Sequence, residues 1–320
     1  NDPFGLIPVV LGHEGSGQIV KMGKNITMDT TGKPLAVGDR IVTCTIPCGH
    51  CDACLNMRDR DNLCEHSGIY GLMPADDHYH FNGWFSDYLV IRPGSTFFKV
   101  NDMSLKLRLL IEPAAVVVHA VERAKSTGLL TFNSNVLIQG VGPIGLMLLA
   151  VVRTMGVENI TVVDGDEKRL QMAKRFGAKY TVNFKNYKDL DEQTRRIKEV
   201  TGGRGADFAF QCTGVPSAAS NVWKFVKRGG GLAEIGFFVD NGSCTINPHF
   251  DICNKEITMV GSWTYKVSDY PITMDFLRRA VGIGLPIEEL VTHEFPLDQM
   301  NEAMDVNMKQ LGIKIAYVAK

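Results

Sequence analysis

The sequence predicts an α/β fold in which an all-β unit is followed by a doubly wound parallel sheet. Up to about residue 110 the chain is rich in Gly, Pro and short β-branched runs, as at residues 17–20, 40–43 and 88–91, which is typical of strands joined by loops. From residue 135 onward, short apolar strands alternate with helical patterns, and a glycine-rich turn follows the first strand. This alternation indicates a parallel sheet with helices on both faces.

The elements of the second half follow from local signals. Residues 136–139 form an apolar run typical of a buried strand, and residues 143–155 predict a helix with Pro in its first turn and Gly just past its end. Further strands are predicted at residues 160–163, 180–182, 208–211, 232–235 and 257–260, with helices at residues 166–176, 190–200 and 217–226 between them. Beyond residue 262 we expect one more helix, at residues 270–281, and an extended segment at residues 314–318.

Composition and charge narrow the class of protein. A chain of 320 residues usually forms two domains. Its formal net charge of −1 gives no broad attraction to nucleic acid or to an anionic membrane, and no apolar run is long enough to span a bilayer. Five of the eight cysteines fall between Cys44 and Cys64, whereas a disulfide framework would spread them. The cluster therefore predicts a metal site and a reducing, cytoplasmic setting.

A dinucleotide-binding loop is predicted at Gly140-Val141-Gly142-Pro143-Ile144-Gly145. This GxGxxG pattern follows a predicted strand and opens a predicted helix, which is the context of a Rossmann fold. Its glycines allow a tight turn and bring a pyrophosphate close to the free N–H groups of the helix N-terminus. Asp164 ends the next strand, where a carboxylate accepts hydrogen bonds from ribose hydroxyls and repels a 2′-phosphate. Arg169 lies nearby, but the carboxylate of Asp164 favours NAD over NADP. The alternative interpretation is that the glycine loop is only a packing turn and that Asp164 is a surface residue.

The pattern Cys48-x2-Cys51-x2-Cys54-x9-Cys64 is a strong metal signal. Four thiolates in one short lobe suit a closed tetrahedral zinc site. An iron–sulfur cluster is the alternative, although its motifs place the fourth cysteine closer and follow it with proline. His50 lies inside the lobe, but four cysteines already fill a tetrahedral site, so we expect this histidine to be a solvated loop residue.

Together with the motifs Gly12-His13-Glu14-Gly15-x-Gly17 and Cys212-Thr213-Gly214, these features resemble the zinc-containing medium-chain dehydrogenase/reductase superfamily over essentially the whole sequence. The resemblance implies a GroES-like β-barrel catalytic domain interrupted by a Rossmann NAD-binding domain. From this resemblance we expect the catalytic domain at residues 1–112, with a structural-zinc lobe at residues 44–65. The NAD-binding domain is then expected at residues 113–262, and the chain should return to the catalytic domain at residues 263–320. It also implies a small-molecule substrate and a homodimer or homotetramer.

The resemblance further implies a catalytic zinc bound by a cysteine upstream of the Gly-His-Glu motif, the motif's histidine and an acid near the domain junction. Carried over, the last two are His13, beside Glu14, and Glu112. Glutamate followed by proline at the junction looks like the sorbitol and threonine dehydrogenase branch, in which Glu14 is a direct ligand and Glu112 acts through water. No cysteine precedes His13, so we expect the N-terminal residues that carry it to be missing from this sequence.

The coenzyme contacts follow from the glycine loop and from the resemblance. Lys314 is included because it matches the family's basic position at the pyrophosphate, and the Cys-Thr-Gly motif because it resembles the family's turn under the coenzyme. The expected cofactor-binding residues are Gly140, Gly142, Pro143, Ile144, Gly145, Asp164, Arg169, Cys212, Thr213, Gly214 and Lys314.

These features predict a zinc-dependent oxidoreductase that transfers a hydride between NAD(H) and a secondary alcohol or polyol, or the corresponding ketone. Two other hypotheses stay open: a zinc-independent NADPH quinone or enone reductase of the same superfamily, and a non-catalytic dinucleotide-binding redox sensor. A nucleic-acid-binding zinc ribbon is disfavoured, because the thiolate lobe carries Asp59, Asp61 and Glu65 in place of a basic patch.

Overall fold

The computed structural model describes residues 8–75 and 80–319 and divides into two compact units. Each unit is built from separate stretches of sequence. Unit 1 comprises Asn1–Ala115, Tyr265–Leu277 and Glu288–Lys320, and unit 2 comprises Val116–Thr264 and Arg278–Ile287. The functional domains predicted from the sequence, as distinct from these compact units, stay a prediction.

Strands are short in unit 1 and form one continuous sheet in unit 2. In chain order the strands are β1 (Ser16–Gln18), β2 (Arg40–Thr43), β3 (Phe97–Lys99), β4 (Val136–Gln139), β5 (Ile160–Asp164), β6 (Tyr180–Asn183), β7 (Ala206–Gln211), β8 (Val226–Glu234), β9 (Thr258–Gly261), β10 (Val291–Phe295) and β11 (Lys314–Tyr317). The helices are α1 (Asp52–Leu55), α2 (Leu105–Leu109), α3 (Ile111–Lys125), α4 (Pro143–Thr154), α5 (Glu167–Arg175), α6 (Leu190–Val200), α7 (Pro216–Phe225), α8 (Asp269–Gly282) and α9 (Met300–Met308). Among the described residues, no helix is both long and apolar enough to cross a membrane.

Unit 1 contains a three-stranded antiparallel sheet in the order β1-β2-β3 and a parallel pair, β10 and β11. Strand β2 buries Ile41 and Val42, and Val42 lies opposite the buried Phe98 of β3. Alternation of β-branched and aromatic residues therefore does form strands here, as the sequence predicts. The observed β2 has the predicted bounds, and the strand predicted at residues 17–20 begins one residue earlier and ends at Gln18.

The strand predicted at residues 88–91 is not formed. These residues are irregular, and the amide of Val90 donates a hydrogen bond to the carbonyl of Phe81 at 2.9 Å. Within the described ranges, no neighbouring strand pairs with this segment. The prediction was wrong because β-branched residues form a strand only where a second edge supplies hydrogen-bonding partners.

The sheet of unit 2 is fully parallel, with the strand order β6-β5-β4-β7-β8-β9. The first strand in sequence, β4, lies at the centre, and the chain winds outward from it in both directions. This is the doubly wound order, in which a crevice forms at the carboxyl edge where the winding direction reverses, between β4 and β7. Strand β4 is buried along its whole length, which is why its first three residues are apolar; the buried Gln139 closes it.

Local signals account for most helices of unit 2. The Asp166 carboxylate caps α5 by accepting a hydrogen bond from the Arg169 amide, and Asp189 caps α6 in the same way. Helix α6 has the bounds predicted from the sequence. Helix α3 was not predicted, because its first ten residues are almost all apolar and buried and include consecutive valines. A helix buried on every side shows no 3.6-residue period that would distinguish it from a strand.

The glycine loop before α4 depends on the absence of one side chain. Every residue of α4 from Gly145 to Val152 is buried. A Cβ atom on Gly145 would lie 1.9 Å from the carbonyl oxygen of Gly140, far inside contact distance. Only glycine at this position lets the helix begin so close to the turn that precedes it.

We expect Gly145→Ala to lower the free energy of unfolding by about 2–4 kcal/mol, because backbone must move to admit the methyl group. Gly142→Ala is the matched control, since the nearest atom to its added Cβ is the Arg169 Nη1 at 3.9 Å. The control should stay within about 1 kcal/mol of the parent protein. Urea unfolding curves measure both effects, and equal stability of the two variants would contradict the close approach at Gly145.

Candidate metal centre and dinucleotide site

The segment that carries His13 is held between backbone neighbours in unit 1. The carbonyl of Gly12 accepts a hydrogen bond from the Trp84 amide at 2.9 Å, and β1 begins at Ser16, three residues after His13. The turn at Gly71 passes directly behind this segment, so that a Cβ on Gly71 would lie 2.0 Å from the Gly12 carbonyl oxygen. These contacts fix the backbone of His13 and determine where its imidazole points.

Three side chains that were predicted from separate motifs converge in unit 1. One ligand atom from each of His13, Glu14 and Glu112 lies within 4.8 Å of the others. The Nε2 atom of His13 is 3.9 Å from the Glu14 Oε1 and 4.0 Å from the Glu112 Oε1. Glu112 lies in the first turn of α3, where the helix dipole favours a negative charge. One imidazole and two carboxylates at this spacing are a donor set that zinc accepts.

Burial controls the protonation of these donors. Burial, assisted by the positive charge of Lys314, lowers the pKa of His13 to about 4, so the imidazole is neutral at neutral pH. Burial raises the pKa of Glu112 to about 7, against a hydrogen bond from Tyr265 that favours the ionised form. A cation bound between the donors would stabilise the ionised carboxylate, so the residues present fit a metal ion.

Lys314 forms an ion pair with Glu14. The lysine begins β11, and its ammonium contacts the Glu14 carboxylate while only a fifth of either side chain is exposed. Burial lowers the pKa of Lys314 to about 8, which leaves the ammonium charged at neutral pH. The sequence analysis assigned Lys314 to the coenzyme and did not foresee this pairing, since 300 positions separate the partners and no motif links them. Its role at the pyrophosphate stays a prediction.

The four predicted zinc-lobe cysteines also converge. The Sγ atoms of Cys48, Cys51, Cys54 and Cys64 all lie within 4.8 Å of one another, and those of Cys51 and Cys54 are 3.5 Å apart. Sulfurs around tetrahedral zinc, with Zn–S bonds of about 2.3 Å, lie about 3.8 Å apart. An antiparallel bridge between Ile46 and Gly68 closes the lobe at its base. The geometry therefore fits a closed four-thiolate site.

Backbone N–H groups point at the thiol sulfurs. The amide of Cys48 donates to the Cys64 Sγ at 3.2 Å, and the amides of Cys54 and Glu65 donate to Cys51, lowering the pKa of that thiol to about 6. These donors favour the thiolate of Cys51, the form that binds metal, whereas burial raises the pKa of Cys64, and also that of Cys54 despite a hydrogen bond from the Gly49 amide. His50 lies outside the ligand group: its Nδ1 contacts the Cys48 carbonyl at 2.9 Å, and its imidazole is exposed, as the sequence predicts.

The predicted coenzyme residues lie at the carboxyl edge of the unit 2 sheet. Gln139 at the end of β4 pairs in register with Gln211 at the end of β7, so the glycine loop and the Cys212-Thr213-Gly214 turn leave adjacent strands at the same level. These strands flank the point where the winding direction reverses, which is where open α/β sheets bind their ligands. The structure thus brings together two motifs that are more than 60 residues apart in sequence.

Asp164 organises the glycine loop at the end of β5. Its Oδ2 accepts a hydrogen bond from the Val141 amide at 2.8 Å, and its Oδ1 accepts one from the Gly165 amide at 2.7 Å. The guanidinium of Arg169 lies beside the same loop, with Nη1 3.9 Å from the position of a Cβ on Gly142. The carboxylate therefore lies beside the glycine loop, as a ribose-binding acid requires.

A buried amide, Gln211, and a half-buried acid, Glu234, at this edge were missed by the sequence analysis. Gln211 bonds to both the amide and the carbonyl of Thr213, and Glu234, at the end of β8, accepts a hydrogen bond from the Gly236 amide at 2.8 Å. Burial raises the pKa of Glu234 to about 7. Both side chains shape turns at the coenzyme edge, and the only sequence signal was a polar residue closing an apolar strand.

The parallel dinucleotide-type sheet, the glycine loop and two sets of metal-binding donors define a class of protein. It is a metal-dependent oxidoreductase that works with a nucleotide coenzyme.

Comparison with known proteins identifies the family. Residues 3–102 match the alcohol dehydrogenase GroES-like domain, and residues 143–279 match the zinc-binding dehydrogenase domain. A sorbitol dehydrogenase from Bacillus subtilis is 34% identical over 299 residues, which cover 93% of this chain and 77% of that protein. An L-idonate 5-dehydrogenase from Vitis vinifera is 30% identical, over 94% of this chain and 76% of that protein. The crystal structure of an alcohol dehydrogenase from Thermotoga maritima matches with a TM-score of 0.91 at 28% identity, covering 100% of this chain and 86% of that chain.

The chain belongs to the zinc-binding dehydrogenase family. This membership confirms the predicted superfamily, and with the parallel sheet it confirms the predicted fold class. It also confirms a zinc-dependent oxidoreductase that uses NAD and acts on small molecules. The roles of the individual site residues stay predictions.

The close contact between Gly71 and the backbone of Gly12, next to His13, gives a test of the metal centre. We expect Gly71→Ala to displace the Gly12 segment, and so to weaken metal binding at His13 and lower the midpoint of thermal unfolding. Gly94→Ala is the matched control, because Gly94 also has a positive φ, 81° against 88°, but has no atom within 4 Å of the added Cβ. Both variants are destabilised because alanine must adopt a positive φ. A similar loss of metal binding and thermal stability in both would therefore refute the steric argument.

The half-buried Glu234 at the end of β8 gives a pH test. Because its folded-state pKa of about 7 exceeds the ordinary value of 4.5, Glu234 binds its proton more tightly in the folded protein. The contribution of Glu234 to stability is therefore complete below about pH 4.5 and lost as the pH rises through about 7.

We expect Glu234→Gln to stabilise the protein at pH 8 by on the order of 1 kcal/mol, after allowance for partial exposure, and to have little effect near pH 4.5. Exposed Glu158→Gln is the control and should show no such pH dependence. Thermal unfolding at the two pH values measures the difference. A stabilisation that does not vary with pH would contradict the assignment.

Proposed function

We propose that this protein oxidises a polyol or another secondary alcohol with NAD and, in reverse, reduces the corresponding ketone. The observation that carries the proposal is the convergence of His13, Glu14 and Glu112 within 4.8 Å in a chain of the zinc-binding dehydrogenase family. Relatives named sorbitol dehydrogenase and L-idonate 5-dehydrogenase support a polyhydroxylated substrate.

The catalytic zinc is assigned to His13, Glu14 and Glu112. Catalytic zinc sites keep one coordination position open to substrate, in contrast to closed structural sites. When bound there, zinc supplies Lewis-acid polarisation of the alcohol oxygen. His13 contributes a neutral imidazole lone pair at neutral pH, since its pKa is lowered to about 4 by burial and by Lys314.

Lys314 is assigned to the orientation of Glu14. Its ammonium contacts the Glu14 carboxylate, which fixes the carboxylate rotamer and offsets its negative charge. A largely buried carboxylate without such a partner would favour its protonated form, which does not bind metal. The further contact of Lys314 with the coenzyme pyrophosphate is proposed on family resemblance alone.

The coenzyme is assigned to the carboxyl edge of the unit 2 sheet. Its pyrophosphate would meet the free N–H groups at the start of α4, and its adenosine ribose would donate hydrogen bonds to Asp164. The Asp164 charge disfavours a 2′-phosphate, which supports NAD over NADP. The proposed contacts are Gly140, Gly142, Pro143, Ile144, Gly145, Asp164, Arg169, Cys212, Thr213 and Gly214.

A structural zinc is assigned to the thiolate lobe. The four sulfurs lie at distances that a tetrahedral ion requires, and the amide donors described above favour thiolates. The need for four reduced thiols supports a reducing, cytoplasmic setting. The predicted return of the catalytic domain after residue 262 is supported by the grouping of Tyr265–Leu277 and Glu288–Lys320 with unit 1. On family resemblance the protein is proposed to be a homodimer or homotetramer.

The alternative hypotheses are weakened by these observations. A zinc-independent quinone reductase has no use for an imidazole and two carboxylates gathered at one point, and a non-catalytic sensor needs no open metal position. Family membership likewise favours zinc over an iron–sulfur cluster in the thiolate lobe.

Removal of the central imidazole tests the proposal. We expect His13→Ala to lower kcat/KM for NAD-dependent oxidation of sorbitol or a related polyol by more than about 100-fold, because a direct zinc ligand is lost. Metal analysis should fall from two zinc ions per chain to one. His249→Ala, which removes an exposed imidazole, is the control and should keep both properties.

Activity with NADP but not NAD would contradict the coenzyme assignment. Full activity of His13→Ala, or one zinc per chain in the parent protein, would contradict the catalytic centre.

A further inference from the structure

One tryptophan contacts the segment that carries His13 and Glu14 at both of its ends. The backbone amide of Trp84 donates a hydrogen bond at 2.9 Å to the carbonyl of Gly12, the residue before His13. The indole lies against Gly15, the residue after Glu14, because a Cβ atom on Gly15 would be 2.2 Å from the Trp84 Cγ and 2.3 Å from its Cδ2. A single residue therefore contacts the chain on either side of two candidate metal ligands.

The indole is itself attached to the three-stranded sheet of unit 1. Its Nε1 donates a hydrogen bond to the Thr43 Oγ1 at 3.1 Å. Thr43 ends β2 and is only 6% exposed, and β2 pairs with β1, which begins at Ser16 directly after Gly15. The outer ring of the indole lies over β1, where a Cβ on Gly17 would be 2.9 Å from the Trp84 Cζ3. Together these contacts hold the indole in one orientation.

From this geometry we infer that Trp84 is a positioning residue for the candidate metal centre. By holding Gly12 and Gly15, it fixes the points at which the His13 imidazole and the Glu14 carboxylate leave the backbone. Ligands that are held in place before a metal arrives bind it more tightly, because less conformational freedom is lost on binding. The inference rests on the proposed function, since it takes His13 and Glu14 to be ligands.

Equilibration of the full chain with buffered Co²⁺ tests this inference without an activity assay. Cobalt in the thiolate lobe is recognised by its sulfur-to-metal charge-transfer band, and cobalt at the second site by its weaker visible bands. We expect Trp84→Ala to raise the Co²⁺ dissociation constant of the second site by about 10–100-fold and to leave the charge-transfer band unchanged. Trp84→Phe keeps an aromatic ring facing Gly15 and should recover most of the affinity.

The matched control is Trp223→Ala. Trp223 lies in α7 and is 5% exposed, so the control removes an indole from the core of unit 2, whereas all three candidate ligands belong to unit 1. It should lower the free energy of unfolding by about 3–5 kcal/mol and leave both Co²⁺ affinities unchanged. An equal loss of second-site affinity in Trp223→Ala would trace the effect to general destabilisation and would overturn the positioning role.

Thr43→Val tests the same role with a smaller change to the fold. Valine keeps the branched shape of the side chain but removes the hydroxyl that anchors the indole. We expect it to weaken second-site Co²⁺ binding by a smaller factor than Trp84→Ala does. Adding Thr43→Val to Trp84→Ala should cause no further loss, because the hydroxyl then has no indole to anchor.

An unchanged second-site affinity in Trp84→Ala, or additive losses in the double variant, would overturn this inference and leave the catalytic centre standing. If Trp84→Ala does not fold, an unchanged affinity in Thr43→Val has the same consequence. A parent protein that binds Co²⁺ only in the thiolate lobe would overturn both the inference and the proposed catalytic centre.

Discussion

The cost of removing ionisable groups from water is the constraint on which the metal centre of this protein depends. His13, Glu112 and Lys314 are brought into a small volume of unit 1 where each is pushed toward its neutral form. A chain that gathers a neutral imidazole and two carboxylates in such a place is destabilised unless a cation or a network of hydrogen bonds accompanies them. The ammonium of Lys314 contacts the Glu14 carboxylate, and a zinc ion would satisfy the whole set.

At the carboxyl edge of the unit 2 sheet, backbone N–H groups rather than ionisable side chains are the groups available to a ligand. The N-terminus of α4 leaves amide hydrogens without helical partners, and the carboxyl ends of β4, β5 and β7 converge around it. Asp164 fixes the loop by accepting the Val141 amide, while Gln211 fixes the neighbouring turn. An anionic pyrophosphate would accept hydrogen bonds from the backbone N–H groups that the start of α4 leaves unsatisfied. A cation in unit 1 would likewise be bound by the acceptor atoms of the candidate metal centre.

Predictions from sequence succeeded where the physical cause is local. The bounds of helix α6, the glycine loop and the close spacing of the lobe cysteines each depend on residues within a few turns of chain, and all three predictions agree with the structure. The strand expected at residues 88–91 and the unpredicted helix α3 failed for the opposite reason. Pairing partners and burial on all sides are properties of the folded chain, and neither leaves a periodic signal.

The sequence by itself determined the class of fold, the clustering of the lobe cysteines and the glycine loop that opens α4, because glycine conformation, capping and residue spacing act over short distances. Only the tertiary structure decided that Lys314 pairs with Glu14 and that Glu234 lies half-buried at the end of β8. The ion pair joins residues far apart in the chain, and the partial burial of Glu234 depends on how the sheet is covered. Such contacts exist only after the chain has packed, and no local pattern of residues encodes them.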